Sequence, residues 1–124
     1  LPAGGNCVLD AINGTKPIGA VIRASGNLGF AGWMSDAAGN VPGQALLMLE
    51  ADQVSYVVAL NGGGLRPDVA VALKRPALAH SGFDLSIPFA GVAPGTYRLA
   101  IVHARPGRPT RCPLDAGVEV LPGL

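Results

Sequence analysis

Apolar and polar positions alternate in short runs along this chain, and turn residues separate the runs. Alternation with a period of two is the mark of a strand with one buried face. Seven or eight such strands are expected: Cys7 to Ile12, Ile18 to Ala24, Leu28 to Met34, Gln44 to Ala51, Val54 to Leu60, Gly82 to Phe89, Tyr97 to Ala104 and Val118 to Leu121. Asn13-Gly14-Thr15-Lys16-Pro17 reads as a turn, and Ser25-Gly26-Asn27 as a break. In the loop Ser35 to Asn40, Asp36 and Asn40 are placed to bond to backbone. Ala51 to Gln53 is a tight link, so the fourth and fifth strands form a β-hairpin. Asn61-Gly62-Gly63-Gly64 follows as a flexible connection.

The segment Arg66 to Leu73 breaks the strand rhythm. Its alternating Val and Ala permit a strand, but Pro67 suits the first turn of a helix and Asp68 the positive end of the helix dipole. A helix of one or two turns is expected there. Arg105 to Pro113 holds three prolines and three arginines and reads as an exposed loop. No long amphipathic helix is available to cover a parallel sheet, so the expected architecture is an all-β antiparallel sandwich with one short helix, a single domain over 1–124.

Composition agrees with that reading. Hydrophobic residues make up 49% and charged residues 14%, the reverse of a disordered chain. Eighteen glycines and eleven prolines suit many short strands and turns. The richness in Ala, Gly, Pro, Arg and Leu, with two lysines, is what a GC-rich bacterial genome encodes. Net charge is +1, and Arg98, Arg105, Arg108 and Arg111 are spread among apolar residues and prolines. Nucleic-acid binding needs a dense basic patch, so it is not expected. No apolar run reaches the roughly 18 residues that span a bilayer as a helix. The chain opens on Leu1 rather than Met, which leads us to expect that a leader or a preceding segment was removed.

Two cysteines stand 105 positions apart, Cys7 in the first strand and Cys112 before the last. That spacing fits neither a CxxC redox motif nor a four-ligand zinc site. Two buried thiols are one reading. The preferred one is a Cys7–Cys112 disulfide tying the ends of the domain together, which places it in the periplasm, on the cell surface or outside the cell.

The order of certain words adds a resemblance. Gly32-Trp33, a two-strand hairpin, Arg66-Pro67-Asp68-Val69-Ala70, Gly82-Phe83 and Pro94-Gly95-Thr96-Tyr97 occur in that order. From Ile18 to Ala104 the chain resembles a bacterial immunoglobulin-like β-sandwich module, of the kind attached to larger secreted, cell-surface or envelope-glycan proteins. The resemblance implies an accessory domain without catalysis, serving spacing, folding or recognition. Two departures concern function rather than fold. Leu60-Asn61-Gly62 stands where an acidic or Asp-Gly turn is expected, and Tyr97-Arg98-Leu99-Ala100-Ile101-Val102-His103 has no His near its start.

Candidate chemistry is sparse. Trp33 is expected as a core anchor between the sheets, with sugar stacking as its functional alternative. Tyr56 sits in an alternating strand and can face either way. Tyr97 after Pro94-Gly95-Thr96 resembles the corner tyrosine of sandwich folds, whose hydroxyl bonds back to backbone. His80 and Ser81 are adjacent, but neighbours in an extended segment point apart, which argues against a dyad. No Gly-x-Ser-x-Gly elbow is present. Eight carboxylates are scattered singly, so neither a calcium cluster nor a glycosidase pair is indicated. Asp68 stands out because Arg66 flanks it, and an Arg–Asp pair there pins the Gly-rich connection to the sandwich edge. Asn13-Gly14-Thr15 matches a glycosylation acceptor but is more simply a turn. Asn61 to Gly64 lacks the Lys and helix of a phosphate loop.

The chain is therefore expected to be a non-catalytic extracytoplasmic accessory or spacer module of a larger envelope or secreted protein, with no cofactor and no metal. Its partners are other domains, envelope proteins or a glycan. Two further functions are consistent with the pattern: a glycan- or peptide-binding domain using end loops, and an edge-strand assembly subunit like a pilus or adhesin component. Candidate binding residues are Trp33, Asp36, Tyr56, Arg66 and Asp68.

Overall fold

A computed structural model of the chain describes residues 3–16, 21–24, 26–103 and 109–122. Its strands are β1 (Asn6–Ile12), β2 (Val21–Ala24), β3 (Asn27–Ser35), β4 (Ala45–Glu50), β5 (Ser55–Leu60), β6 (Gly82–Pro88), β7 (Gly95–His103) and β8 (Thr110–Val120). One helix, α1 (Pro67–Ala72), and a 3₁₀ turn over Pro76–His80 separate β5 from β6. Residues 18–20 of the expected second strand and 105–108 of the expected loop lie outside the described residues.

The strands form two sheets, in the orders β1-β3-β6 and β2-β8-β7-β4-β5. Every pair is antiparallel except β2 with β8, which is parallel. The chain is an all-β sandwich. Alternation explains the core. β3 turns Leu28, Phe30 and Met34 inward, β4 turns Ala45, Leu47 and Leu49, and β7 turns Tyr97, Leu99 and Ile101. All are buried in one cluster between the sheets. Phe30 and Phe89 meet there with ring centroids 6.5 Å apart. Gly32 also faces inward, opposite Phe83, and a Cβ on it would fall 2.1 Å from the Val8 carbonyl oxygen and 2.9 Å from the Phe83 ring. Only glycine lets β1 and the Phe83 ring close over this point.

The turns follow their chemistry. Asn13 and Gly14 both have positive φ, between Ile12 and Thr15, which exchange backbone hydrogen bonds of 2.9 and 3.0 Å. The Ala51 N–H donates to the Val54 carbonyl at 2.9 Å, closing the β4–β5 hairpin around Asp52 and Gln53.

Two expectations are corrected. Trp33 is not a core anchor. It falls on the odd positions of β3, half-buried on the outer face of the three-stranded sheet, while its neighbour Met34 is fully buried. Strand parity decides the matter, and the size of the aromatic ring does not. The last strand does not start at Val118. β8 begins at Thr110 and includes Arg111, Cys112 and Pro113. Pro113 pairs with Ala100 beside an irregularity in the β7–β8 register. The Arg111 carbonyl points away from β7 and accepts from the Gly4 N–H at 3.2 Å. By antiparallel alternation Pro113, two residues on, also turns its backbone away from β7. Its missing N–H therefore costs no bond to β7.

Cys7 on β1 and Cys112 on β8 form a disulfide, with the sulfurs 2.02 Å and the Cα atoms 6.3 Å apart. It joins the two sheets near the start of each of the two strands.

Candidate functional site

The candidate site grows from the connection between β5 and β6. After Gly62 to Gly64 the chain bridges back to the start of β6, with Gly64 and Gly82 exchanging backbone hydrogen bonds of 2.9 Å in each direction. Arg66 comes next, ahead of Pro67 in the first turn of α1. Its N–H donates to the Ala79 carbonyl at 2.7 Å, and its own carbonyl accepts from Val69 and Ala70. The backbone of Arg66 is thus fixed on both sides, and its side chain is free to serve elsewhere.

That side chain makes three bonds. Nε and Nη2 donate to the two carboxylate oxygens of Asp68, at 3.0 and 2.9 Å, a bidentate pair. Nη1 donates to Asp10 Oδ2 at 2.5 Å. The stem lies over Gly82, where a Cβ would fall 2.9 Å from Arg66 Cγ. Asp10 belongs to the irregular position of β1, between Leu9 and Ala11, where the register with β3 shifts. The bulge aims its carboxylate at a residue 56 positions away. Sequence reading paired Arg66 with Asp68 and missed Asp10, because a long-range partner presented by a bulge leaves no local signal.

Electrostatics follow from these contacts. Arg66 holds the Asp68 carboxyl below its ordinary value, chiefly through the hydrogen bond. Asp68 first and Asp10 second push the Arg66 pKa up, so the guanidinium is charged at any working pH. The cluster borders an open cleft of about 620 Å³ lined by Asp10, Ala31, Asn61, Gly64, Arg66 and Asp84, among others. The charged residues of the lining are Arg66, Asp10 and Asp84, one positive and two negative, so the cleft is net negative. Small glycine walls and exposed carboxylates suit hydroxyl-rich, uncharged ligands better than anions.

Asp36 lies elsewhere, in the loop after β3. Its Oδ1 accepts from the Ala38 and Asn40 N–H groups, both at 2.9 Å. Arg75, beyond α1, donates to the Ala38 carbonyl and closes over Gly39. Asp36 is nearly buried, and these bonds give it the part of loop organiser. A second cleft, of about 450 Å³, lies beside it between Asn6 and Leu73.

Tyr56 faces inward from β5, onto Tyr97, with ring centroids 5.8 Å apart. The Tyr97 hydroxyl donates to the Ala93 carbonyl at 2.6 Å, and the Tyr56 hydroxyl accepts from the Ala93 N–H at 3.0 Å. The two phenols therefore hold one residue, Ala93, by its N–H and its carbonyl at the β6–β7 corner. Burial, and then the neighbouring Tyr56, raise the Tyr97 pKa. Trp33 pairs in register with Val8 and Gly82, next to the Arg66 stem, but it does not line the cleft. The structure thus gathers Arg66 and Asp68 with Asp10, places Trp33 beside them, and sets Asp36 and Tyr56 apart.

His80 is exposed while Ser81 is fully buried, so the adjacent pair points to different environments. Among the described residues no group of three or more His, Cys, Asp or Glu is placed to hold a metal ion. Among them, too, no helix is long and apolar enough to cross a membrane.

No protein-family model matches the chain. No curated protein matches it. Among solved structures it is similar to domains 4 and 5 of the S-layer protein SbsC, with 13% identity and a TM-score of 0.41. That likeness covers 98% of this chain and 54% of the other, so the chain spans about half the length of the structure it matches.

Proposed function

We propose that this chain is a non-catalytic, extracytoplasmic, immunoglobulin-like accessory or spacer module of a larger bacterial envelope or secreted protein. The observation that carries the proposal is the Cys7–Cys112 disulfide between β1 and β8. Such bonds persist in oxidising compartments and are rare in the cytosol. This one joins the first and last strands of a two-sheet β-sandwich, so a load applied outside the bridge passes through a covalent link. The strand orders β1-β3-β6 and β2-β8-β7-β4-β5, with the first segment dividing between the sheets, support the immunoglobulin-like assignment, as does the Tyr97–Ala93 corner. The polar side chains support a structural role. Arg66, Asp36 and Tyr97 spend their hydrogen bonds on the fold itself.

Alkylation of the protein taken from cells without reductant tests the compartment. Both cysteines should resist modification until reductant is added. Alkylation of both in the unreduced sample would contradict the proposal.

The 620 Å³ cleft favours one second reading, a glycan-binding role for the loop Asn61 to Arg66. Asp84→Ala, which leaves the Arg66 cluster intact, should then weaken binding to envelope glycan fragments without lowering Tm. Equal binding by variant and parent would remove this reading.

A further inference from the structure

The four sheet edges differ in how they are protected. The β1 edge is interrupted at Asp10 by its register shift and is tied down by Cys7. The β6 edge is bridged by Gly64 at its start and ends on Pro88. β2 is four residues long and has Arg23 in its sequence. Bulges, prolines, charges and short length are the devices that stop strand edges from pairing with other chains. β5 has none of them. Ser55-Tyr56-Val57-Val58-Ala59-Leu60 carries no charge, proline or glycine and pairs with β4 in unbroken register.

The direction of its free groups follows from the hairpin. Ala51 and Val54 are a hydrogen-bonded pair, so in the register that follows Tyr56, Val58 and Leu60 bond to β4. Ser55, Val57 and Ala59 turn their N–H and C=O groups outward, and none of these has a backbone partner among the described residues. Their side chains lie on the outer face of the sheet, where Val57 is 57% exposed. In β4, the next strand of the sheet, half-buried Leu46 and Met48 continue this apolar row.

We propose that the β5 edge pairs antiparallel with β5 of a second copy of this chain, about a two-fold axis at Val57. Val57 then faces Val57 of the other copy as a hydrogen-bonded pair, and Ser55 faces Ala59. The three outward residues of each copy satisfy one another. Several features select a second copy as the occupant. A two-fold antiparallel pair sets each residue against its mirror position, so a charged strand would repel itself, and β5 is uncharged. The same register sets the hairpin tip Asp52-Gln53 beside Asn61-Gly62 of the other copy, where the glycine offers little obstruction. The exposed valines meet across the junction and lengthen the apolar row on one face. This inference goes beyond the spacer reading and does not depend on the compartment. Six residues a side make a small interface, so the expected dissociation constant is on the order of 100 µM. Tethering in a larger assembly would make so weak a contact effective.

Sedimentation equilibrium of the oxidised protein, from about 10 µM to about 1 mM, tests the proposal. The parent should pass from monomer to dimer across that range. Val57→Pro removes one outward N–H and no bond to β4. Val57→Lys sets a charge against its own copy. Each should weaken the dimer at least tenfold, and Val57→Lys should leave Tm at low concentration unchanged. If Val57→Pro fails to fold, Val57→Lys alone decides. A parent that stays monomeric throughout, a dimer that Val57→Lys leaves intact, or growth to masses above a dimer would each overturn two-fold β5 pairing.

Discussion

Single residues carry the sharpest expectations. Tyr97 is fully buried and its hydroxyl donates to Ala93. Tyr97→Phe removes one buried hydrogen bond, a loss of about 1 kcal/mol. For a chain of this length that lowers Tm by about 3–6 °C in calorimetry. The raised Tyr97 pKa adds a pH dependence. Above the ordinary phenol value the unfolded chain releases this proton and the folded chain keeps it, so stability falls as pH rises there. Tyr97→Phe should flatten that alkaline decline, and an unchanged decline would contradict the assignment. Asp68 acts at the other end. Arg66 depresses its pKa, so its contribution is full above the ordinary carboxylate range and fades as pH falls through the folded value. Arg66→Ala should lower Tm more than Asp68→Ala, because it also releases Asp10. Trp33 and Phe30 separate outer face from core. Phe30→Ala should cost about 3–5 kcal/mol, and Trp33→Ala roughly half of that or less.

At the scale of elements, strand existence and order were legible in the sequence, and the reasons are visible in particular runs. β3 and β4 alternate, and their inward positions are the buried ones, while β7 alternates over Thr96 to Leu99 and is buried on both faces from there to His103. Which face an aromatic takes was not legible, since Trp33 and Met34 are neighbours of opposite parity and only the assembled sheet says which side is wet. β8 shows a different limit. Prolines and arginines between 105 and 113 read as a loop, yet Thr110 to Pro113 complete the ladder of β7, and Pro113 is accommodated where no bond to β7 is needed. Hydrogen exchange checks this directly. The amides of Thr110 and Cys112 point at β7 and should be strongly protected, and free exchange at both would return the segment to a loop. The candidate site was half legible: Arg66-Pro67-Asp68 announced a short helix and a local ion pair, while Asp10 enters through a bulge on a strand far away in sequence.

The whole molecule is a two-sheet sandwich whose first and last strands are locked together across the sheets by Cys7 and Cys112. Closing so long a loop stabilises the folded state by about 4–5 kcal/mol in the chain-entropy model. The same bond defines what mechanical load can reach. Residues 8–111 lie within the covalent loop, so tension on the flanking segments bypasses them. Single-molecule stretching, with handles on residues outside the bridge, tests this most directly. Under oxidising conditions the loop should release no length. With reductant, unfolding should add about 350–380 Å, the extended reach of the 105-residue separation. Release of that length without reductant would contradict the covalent closure on which the proposed spacer role rests.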